Sequence, residues 1–341
     1  MRTVRLAVDP GCPQPDVVSQ AATVLTAGGV VAFPTETVYG LGANALDAEA
    51  VARIFTAKGR PSNNPLIVHT TSVADARRLC RDWPLDADKL ADEFWPGPLT
   101  LVLPKADCVP SIVTAGGPTV AIRVPDHPVA RALIEAAGVP LAAPSANLST
   151  RVSAVRAEHV LKMLDGRIEM VLDGGPTSGG LESTVVDLSH DQPRILRPGL
   201  VAADRIAAAL GKSVIGFAAD ASADENSSLP SPGLMRKHYS PLVPVDLIDG
   251  DSTRRPESWI ASSESIGWLS LTPGQPQPAE SSRLVWIAMP AEPERYAERL
   301  YDVLHELELR GVARIVVERP PATAAWEAIN DRLRRAAARD T

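Results

Sequence analysis

The chain has 341 residues, of which 45% are hydrophobic, and a formal net charge of −7 at pH 7. This length can bury a large core and suggests about two domains. An acidic chain with 4% aromatic residues lacks the broad cationic face and the stacking platforms that strong direct nucleic-acid binding needs. No apolar stretch approaches the ~20 residues of a membrane span, which predicts no membrane association.

The N-terminus and the cysteines predict a cytoplasmic protein. Arg2 and Arg5 lead into a short polar stretch instead of the apolar block of a signal peptide. Cys12, Cys80 and Cys108 are isolated, so we expect reduced thiols and no metal site in the protein.

The first two thirds of the chain alternate helical and short apolar segments, which predicts an α/β domain. Helices are predicted at 17–27, from the N-cap Asp47 to Gly59, and at 73–80, 86–94, 128–137, 154–164 and 203–210. Strands are predicted at 30–33, 66–68, 99–103, 119–124, 140–143, 168–172, 185–188 and 195–196. Some neighbouring strands are joined by turns too short for a crossover helix, so the sheet must be mixed.

A linker and a second, smaller domain follow. No Lys or Arg occurs between Ser213 and Met235, and small and polar residues dominate that segment. Strands at 243–248, 265–271, 284–289 and 313–318, with helices at 293–310 and 323–338, predict a Rossmann-like α/β unit. The predicted boundaries are 12–212 for the first domain, 213–243 for a linker that could act as a lid, and 244–341 for the second domain.

Polar groups are concentrated in the turns around a predicted buried strand. The stretch Phe33-Pro-Thr-Glu-Thr-Val-Tyr-Gly-Leu-Gly-Ala-Asn-Ala45 reads as a strand end and an irregular loop, whose glycines at 40 and 42 would allow a ligand close to the backbone. Lys58-Gly-Arg60 and Asn63-Asn-Pro-Leu-Ile-Val-His69 follow. This density of hydroxyl, amide and cationic groups indicates a binding site.

Each of these side chains also has an ordinary structural explanation. Lys58 and Arg60 could be plain cations at an exposed helix C-terminus, and His69 could be a core histidine. The strand residue Arg123 needs a carboxylate partner, because an unpaired buried guanidinium is costly. Glu182, Asp187 or the carboxylate of a substrate could serve.

Together these motifs resemble the L-threonylcarbamoyladenylate synthases, the YrdC-like family. Three further stretches match in the same order: Ala143-Pro-Ser145-Ala-Asn147, Ser183-Thr-Val-Val-Asp187 and Arg197-Pro-Gly199. Ser231-Pro-Gly-Leu-Met-Arg-Lys-His-Tyr-Ser-Pro241 resembles the linker of the long, two-domain version. The resemblance implies a YrdC-like domain with a twisted mixed sheet and an open groove, followed by an accessory domain.

The resemblance also implies a reaction and a set of contacts. L-threonine, bicarbonate or carbon dioxide, and ATP would give threonylcarbamoyl-adenylate and pyrophosphate, with Mg²⁺ held mainly by the nucleotide phosphates. The product would pass to a separate complex that modifies tRNA. The implied ATP contacts are Lys58, Arg60, Asn64, Thr119, Ser145, Asn147, Ser153, Arg197 and His238, with Lys58 and Arg60 also acting in catalysis. The implied threonine contacts are Thr37, His69, Arg123, Ala143 and Ser183.

Two departures and two alternatives accompany this assignment. The family usually has Ser-Gly-x-Pro-Ser after the asparagine, whereas this chain has Ser149-Thr-Arg-Val-Ser153, and the implied role of Ser153 depends on that loop. Leu234-Met235 stands where a Met-Lys pair is common.

The first alternative is an RNA-binding module that uses the same groove. The second is a carbamoyl-transfer domain, which would normally belong to a much larger chain with zinc-finger cysteines.

Overall fold

The computed structural model describes residues 2–217, 237–250, 264–271 and 283–338. The chain divides into two compact units, Met1–Ser149 with Ser153–Leu234, and Thr150–Val152 with Met235–Thr341. The predicted linker or lid includes residues 218–236, which lie outside the described residues. Among the residues described, no helix is long and apolar enough to cross a membrane.

The first unit is built on a ten-stranded mixed sheet. Its strands are β1 Val4–Ala7, β2 Val31–Phe33, β3 Gly40–Asn44, β4 Ile67–His69, β5 Leu99–Pro104, β6 Thr119–Arg123, β7 Leu141–Ala142, β8 Met170–Asp173, β9 Thr184–Asp187 and β10 Arg194–Arg197. They lie in the order β1-β8-β2-β3-β7-β4-β6-β5-β9-β10. The sheet contains both parallel pairs, such as β4 with β6, and antiparallel pairs, such as β5 with β6, which confirms the expected mixed sheet.

Seven helices are described in the first unit. They are α1 Pro15–Thr26, α2 Ala48–Lys58, α3 Val73–Arg78, α4 Leu85–Phe94, α5 Pro128–Ala137, α6 Ala157–Leu164 and α7 Ala203–Leu210. The predicted α2 is confirmed at both ends. The Asp47 carboxylate accepts from the Glu49 and Ala50 amides at 2.9 and 3.2 Å, and Gly59 ends the helix with φ of 60°. This fixes Lys58 in the last turn.

Two strands of the first unit were not predicted. Strand β1 is short and mostly exposed, so it carries no apolar run. Strand β3 lies in the segment that reads as an irregular loop, and its two glycines serve packing. A Cβ at Gly42 would lie 2.7 Å from Cε1 of Phe33, and one at Gly40 would lie 3.4 Å from its Cζ. The interpretation of Gly42 as room for a ligand was therefore wrong, because the ring of the neighbouring strand fills that space, whereas the contact at Gly40 is of ordinary length.

The second unit is a smaller α/β structure with a parallel sheet. Its strands are β11 Val245–Ile248, β12 Ile266–Ser270, β13 Leu284–Ala288 and β14 Arg314–Glu318, in the order β11-β14-β12-β13. Its long helices are α8 Pro293–Leu309 and α9 Glu327–Ala337, with a 3₁₀ turn at Ala324–Trp326. All three strand pairings are parallel, as the predicted alternation of strands and helices requires.

Candidate active site

The candidate site lies on one face of the central sheet of the first unit. His69 of β4 is the register partner of Arg123 of β6, so both side chains leave the sheet on the same face. Small buried apolar residues share this face and form a cluster of their own: Ile67, Val102, Ala121, Val185 and Leu196. Residues of the opposite face, such as Val68 and Ile122, belong to the large core under α2. Two ionisable side chains thus border a small apolar patch.

Arg123 is buried and held from three sides. Its Nε donates to the Gly97 carbonyl at 3.1 Å, and its Nη1 donates to Oγ1 of Thr37 at 2.9 Å. Nη2 lies 2.5 Å from Oε1 of Glu36 in an ion pair. The carboxylate partner that the sequence requires is therefore Glu36, in the loop between β2 and β3. Neither Glu182 nor Asp187 forms this contact.

His69 is 3% exposed. Burial, and after it the charge of Arg123, lower the pKa of its imidazole to about 3, although the backbone carbonyls of Ile67 and Leu141 favour the charged form. Its Nδ1 is buried and has no hydrogen-bond partner among the described residues. Beside it, Ala143 donates its amide to the Ile67 carbonyl at 2.9 Å. His69 is therefore a neutral side chain with one nitrogen open to a ligand.

Lys58 is buried, with 2% of its surface exposed. Its Nζ donates to the carbonyl oxygens of Ser145 and Asn147 at 2.5 and 2.6 Å, and the Ser145 hydroxyl binds Oδ1 of Asn147 at 2.5 Å. The expectation of an exposed helix-end cation was wrong, because the loop after β7 folds over the last turn of α2. Burial, followed by the charge of Arg60, lowers the pKa of Lys58 well below its usual range, and Glu182 opposes the shift.

Arg60 is also buried, at 9% exposure. The expectation that it is an exposed cation at the helix end was therefore wrong. Its Nη2 donates to Oδ1 of Asn64 at 2.6 Å and to the Pro65 carbonyl at 2.8 Å, while Nε reaches the Asn64 carbonyl at 3.2 Å. Nδ2 of Asn64 is buried with no hydrogen-bond partner among the described residues. Arg60 and Asn64 thus form one unit in which the amide donor remains open.

Ser183 and Arg197 lie in direct contact. The Arg197 guanidinium donates from Nε and Nη2 to the Ser183 carbonyl at 3.2 and 2.9 Å, and from Nη2 to its hydroxyl at 3.1 Å. The same hydroxyl binds Oγ1 of Thr100 at 2.8 Å. One residue earlier, Glu182 accepts from the hydroxyl of Ser153 at 2.6 Å. A residue expected to contact threonine is therefore joined to one expected to contact phosphate.

Two predicted residues are not joined to this group by the contacts described. Thr119 begins β6 and pairs with Pro104, four residues and about 13 Å of strand from Arg123. His238 belongs to the second unit, where its backbone amide donates to the Arg335 carbonyl at 3.4 Å and its Nδ1 accepts from the Tyr239 amide at 3.0 Å.

Sequence reasoning assigned no role to Thr100 and named Glu36 only as a carboxylate in the loop. Strand alternation could have placed Thr100 on the face of Arg123, since both strands were predicted. Nothing local marks Glu36 as the partner of Arg123, because the residues are far apart in the chain and meet only through the fold.

The fold and these contacts define a class of protein: an α/β protein with four buried cations, Lys58, Arg60, Arg123 and Arg197, among hydroxyl and amide groups of one unit. The family model described as "Telomere recombination" matches residues 23–199, and the model described as "Threonylcarbamoyl-AMP synthase, C-terminal domain" matches residues 201–338. The chain belongs to the threonylcarbamoyl-AMP synthase family, in its two-domain form, which confirms the resemblance drawn from the sequence.

Individual relatives agree along nearly the whole chain. The threonylcarbamoyl-AMP synthase of Bacillus subtilis is 43% identical over 94% of this chain and 92% of its own length. That of Pyrococcus abyssi is 41% identical over 93% and 92%. The crystal structure of P. abyssi Sua5 complexed with L-threonine matches with a TM-score of 0.89 and 36% identity, covering 98% of both chains.

Proposed function

We propose that the chain synthesises L-threonylcarbamoyladenylate from L-threonine, bicarbonate or carbon dioxide, and ATP, with release of pyrophosphate, for the threonylcarbamoyladenosine modification of tRNA. The relatives bear the name of this activity. The enzyme is thus a nucleotidyltransferase that uses ATP as a substrate.

One observation within the first unit supports the location of the site. Buried side-chain atoms without a hydrogen-bond partner are rare in folded proteins, and each needs an explanation. In the described part of this unit they belong to Glu36, Asn64, His69, Arg123 and Thr177. Three of these five are residues predicted to bind substrate, and Glu36 is the ion-pair partner of one of them. Nη2 of Arg123 and Oε1 of Glu36 face each other in the ion pair, and a bound substrate would supply partners for Oε2 of Glu36, Nδ2 of Asn64 and Nδ1 of His69.

The threonine end of the proposed site lies around Arg123. Its guanidinium would receive the substrate carboxylate, a pairing for which arginine geometry is well suited. Open Nδ1 of His69 and the hydroxyls of Thr37 and Ser183 would meet the substrate's polar groups. The neutral state of His69 lets one ring nitrogen accept and the other donate, so it can bind a hydroxyl without adding charge.

The phosphate end of the proposed site lies around Lys58, Arg60 and Arg197. Each of these cations donates to backbone carbonyl oxygens, so each is oriented by the protein itself. Cations preorganised in a buried site stabilise the charge that develops on a transferring phosphate. The remaining contacts expected for ATP are with Asn64, Thr119, Ser145, Asn147, Ser153 and His238.

In the proposed reaction the enzyme forms no covalent intermediate. The threonine amine attacks carbon dioxide to give a carbamate, whose oxygen attacks the α-phosphorus of ATP and displaces pyrophosphate. The protein positions the reactants and stabilises charge. Mg²⁺ would be held mainly by the phosphates and water.

Pyrophosphate release tests the proposed function. Wild-type protein with ATP should release pyrophosphate only when threonine and bicarbonate are both present, whereas an RNA-binding module would release none. Valine has nearly the shape of threonine but lacks its hydroxyl, so it leaves polar groups of the site unpaired and should be turned over far less. Equal turnover of the two amino acids would show that the threonine pocket is misassigned.

Several expectations remain predictions. These are the cytoplasmic location, the transfer of the product to a separate tRNA-modifying complex, and the division into a catalytic domain at 12–212, a linker or lid at 213–243 and an accessory domain at 244–341.

A further inference from the structure

Glu36 is a buried carboxylate whose position is fixed by its own backbone. Its side chain is 13% exposed. Its carbonyl accepts from the Gly179 amide at 2.7 Å and from the Ser178 hydroxyl at 3.3 Å. A Cβ at Gly179 would lie 2.8 Å from that same carbonyl oxygen, so glycine is what permits this close approach. The loop between β2 and β3 is thereby held against the segment before β9.

The contacts of this carboxylate are incomplete. Both of its oxygens are buried, and among the described residues neither accepts a hydrogen bond with acceptable geometry. Oε1 nevertheless lies 2.5 Å from Nη2 of Arg123 in the ion pair, so Oε2 is the carboxylate oxygen that has no partner among the described residues. A buried charge without hydrogen bonds is costly, and the other donors of Arg123 in use are directed at Thr37 and Gly97. The ion pair therefore leaves one buried carboxylate oxygen, Oε2 of Glu36, without a partner among the described residues.

An amino acid supplies the complement of both groups. Its ammonium matches Oε2 of Glu36, and its carboxylate matches the guanidinium of Arg123. We propose that Glu36 binds the α-ammonium group of the amino-acid substrate and accepts a proton from it, an inference that rests on the proposed function.

The proton transfer has a defined chemical consequence. One N–H bond of the ammonium breaks and an O–H bond forms on Glu36, while the electron pair stays on nitrogen. That pair attacks the carbon of carbon dioxide, and one C=O electron pair moves to oxygen. Loss of a second nitrogen proton to solvent leaves the carbamate. Because the reactive amine is formed inside the site, the reaction does not depend on the small fraction of free amine in solution.

The alternative is that Glu36 only holds Arg123 in place. The two roles differ in their effect on a ligand that has no amine. We would measure the dissociation constants of L-threonine and of 3-hydroxybutanoate with the same C3 configuration by calorimetry without ATP, for wild type and for Glu36→Gln. The matched control is Glu158→Gln, whose carboxylate is 58% exposed in an ion pair with Arg5.

The proposal predicts a change in the ratio of the two affinities. Glu36→Gln should weaken threonine by about tenfold to a hundredfold, the range for a charge-assisted hydrogen bond, and should change the affinity for 3-hydroxybutanoate by less than about threefold. Glu158→Gln should change neither. Equal weakening of both ligands by Glu36→Gln would mean that Glu36 serves only to position Arg123, and the proposal would fail.

The pH dependence of turnover tests the proton transfer itself. The charged or titratable groups recorded near Glu36 are Arg123 and His127, with His69 beside Arg123. Burial lowers the pKa of His127 and of His69, so both stay neutral above pH 7. Between pH 7 and 8.5 the ratio of Glu36→Gln to wild-type kcat/KM should rise about tenfold per pH unit. The reason is that the variant can use only threonine whose amine is already deprotonated in solution, and that fraction rises about tenfold per pH unit. A constant ratio would exclude Glu36 as the proton acceptor.

A second variant tests the same proposal if Glu36→Gln does not fold. Glu36→Asp keeps the charge on a shorter side chain, and it should still bind threonine at least about tenfold more tightly than 3-hydroxybutanoate. Equal affinities would overturn the proposal. Failure of wild-type protein to release pyrophosphate would instead refute the proposed function, since the affinity ratio is measured without ATP.

Discussion

Replacing His69 with glutamine should remove a large part of the acid sensitivity of the first unit. In the unfolded chain the imidazole titrates at its ordinary pKa of 6.5, whereas burial and the charge of Arg123 lower its folded pKa to about 3. The unfolded state therefore binds more protons between these two values. The free energy of unfolding must decrease as the pH falls through 6.5.

The size of the effect follows from the two pKa values. Between pH 7 and pH 5 the unfolded imidazole gains about 0.7 of a proton while the folded one gains almost none, which costs about 2 kcal/mol of stability. This figure depends almost wholly on the unfolded pKa, because any folded pKa below 4 leaves the imidazole neutral at pH 5. Wild type should therefore lose about 2 kcal/mol more than His69→Gln over this range.

Urea unfolding followed by pulsed hydrogen exchange provides the assay. Peptides covering β4 and β6 report on the first unit within the intact chain, so unfolding of the second unit does not interfere. His190→Gln is the matched control, because 69% of the His190 side chain is exposed, and it should follow wild type to within about 0.5 kcal/mol. A difference below about 0.5 kcal/mol between wild type and His69→Gln would mean that His69 takes up a proton in the folded state, and the reasoning would be wrong.

Two further predictions concern the buried cations. Arg60→Ala should cut pyrophosphate release by about 10²–10³-fold. It should also lower the melting temperature, because it leaves the Asn64 and Pro65 carbonyls without their donor. Near-wild-type release would refute the assignment of Arg60 to phosphate. Binding of ATP should raise the lowered pKa of Lys58, so affinity should fall as the pH rises through the Lys58 pKa of the free protein, and calorimetry at those pH values in buffers of different ionisation enthalpy should detect proton uptake. Lys58→Met should abolish the dependence of the binding enthalpy on the buffer. If that dependence persists in Lys58→Met, a group other than Lys58 takes up the proton.

The sequence by itself determined the family, the mixed α/β class and most of the elements. Helix α2 shows why: the Asp47 cap, the apolar face and the left-handed Gly59 act within a few residues of one another. The four strands of the second unit were likewise readable as apolar segments alternating with helices. Motif order also predicted a set of substrate-binding residues, because a family resemblance does not depend on knowing their contacts.

Tertiary structure alone decided how the charged groups are accommodated. Lys58 binds the carbonyl of Ser145, 87 residues away in the chain, and Arg123 lies between Gly97, Thr37 and Glu36. Such contacts depend on which loop folds over which strand, and no local propensity encodes that. Strand β3 was not predicted for a related reason, since Gly42 is required by the Phe33 ring of the neighbouring strand. Short-range physics sets the helices and strands, whereas long-range packing determines which charges are buried and what they bind.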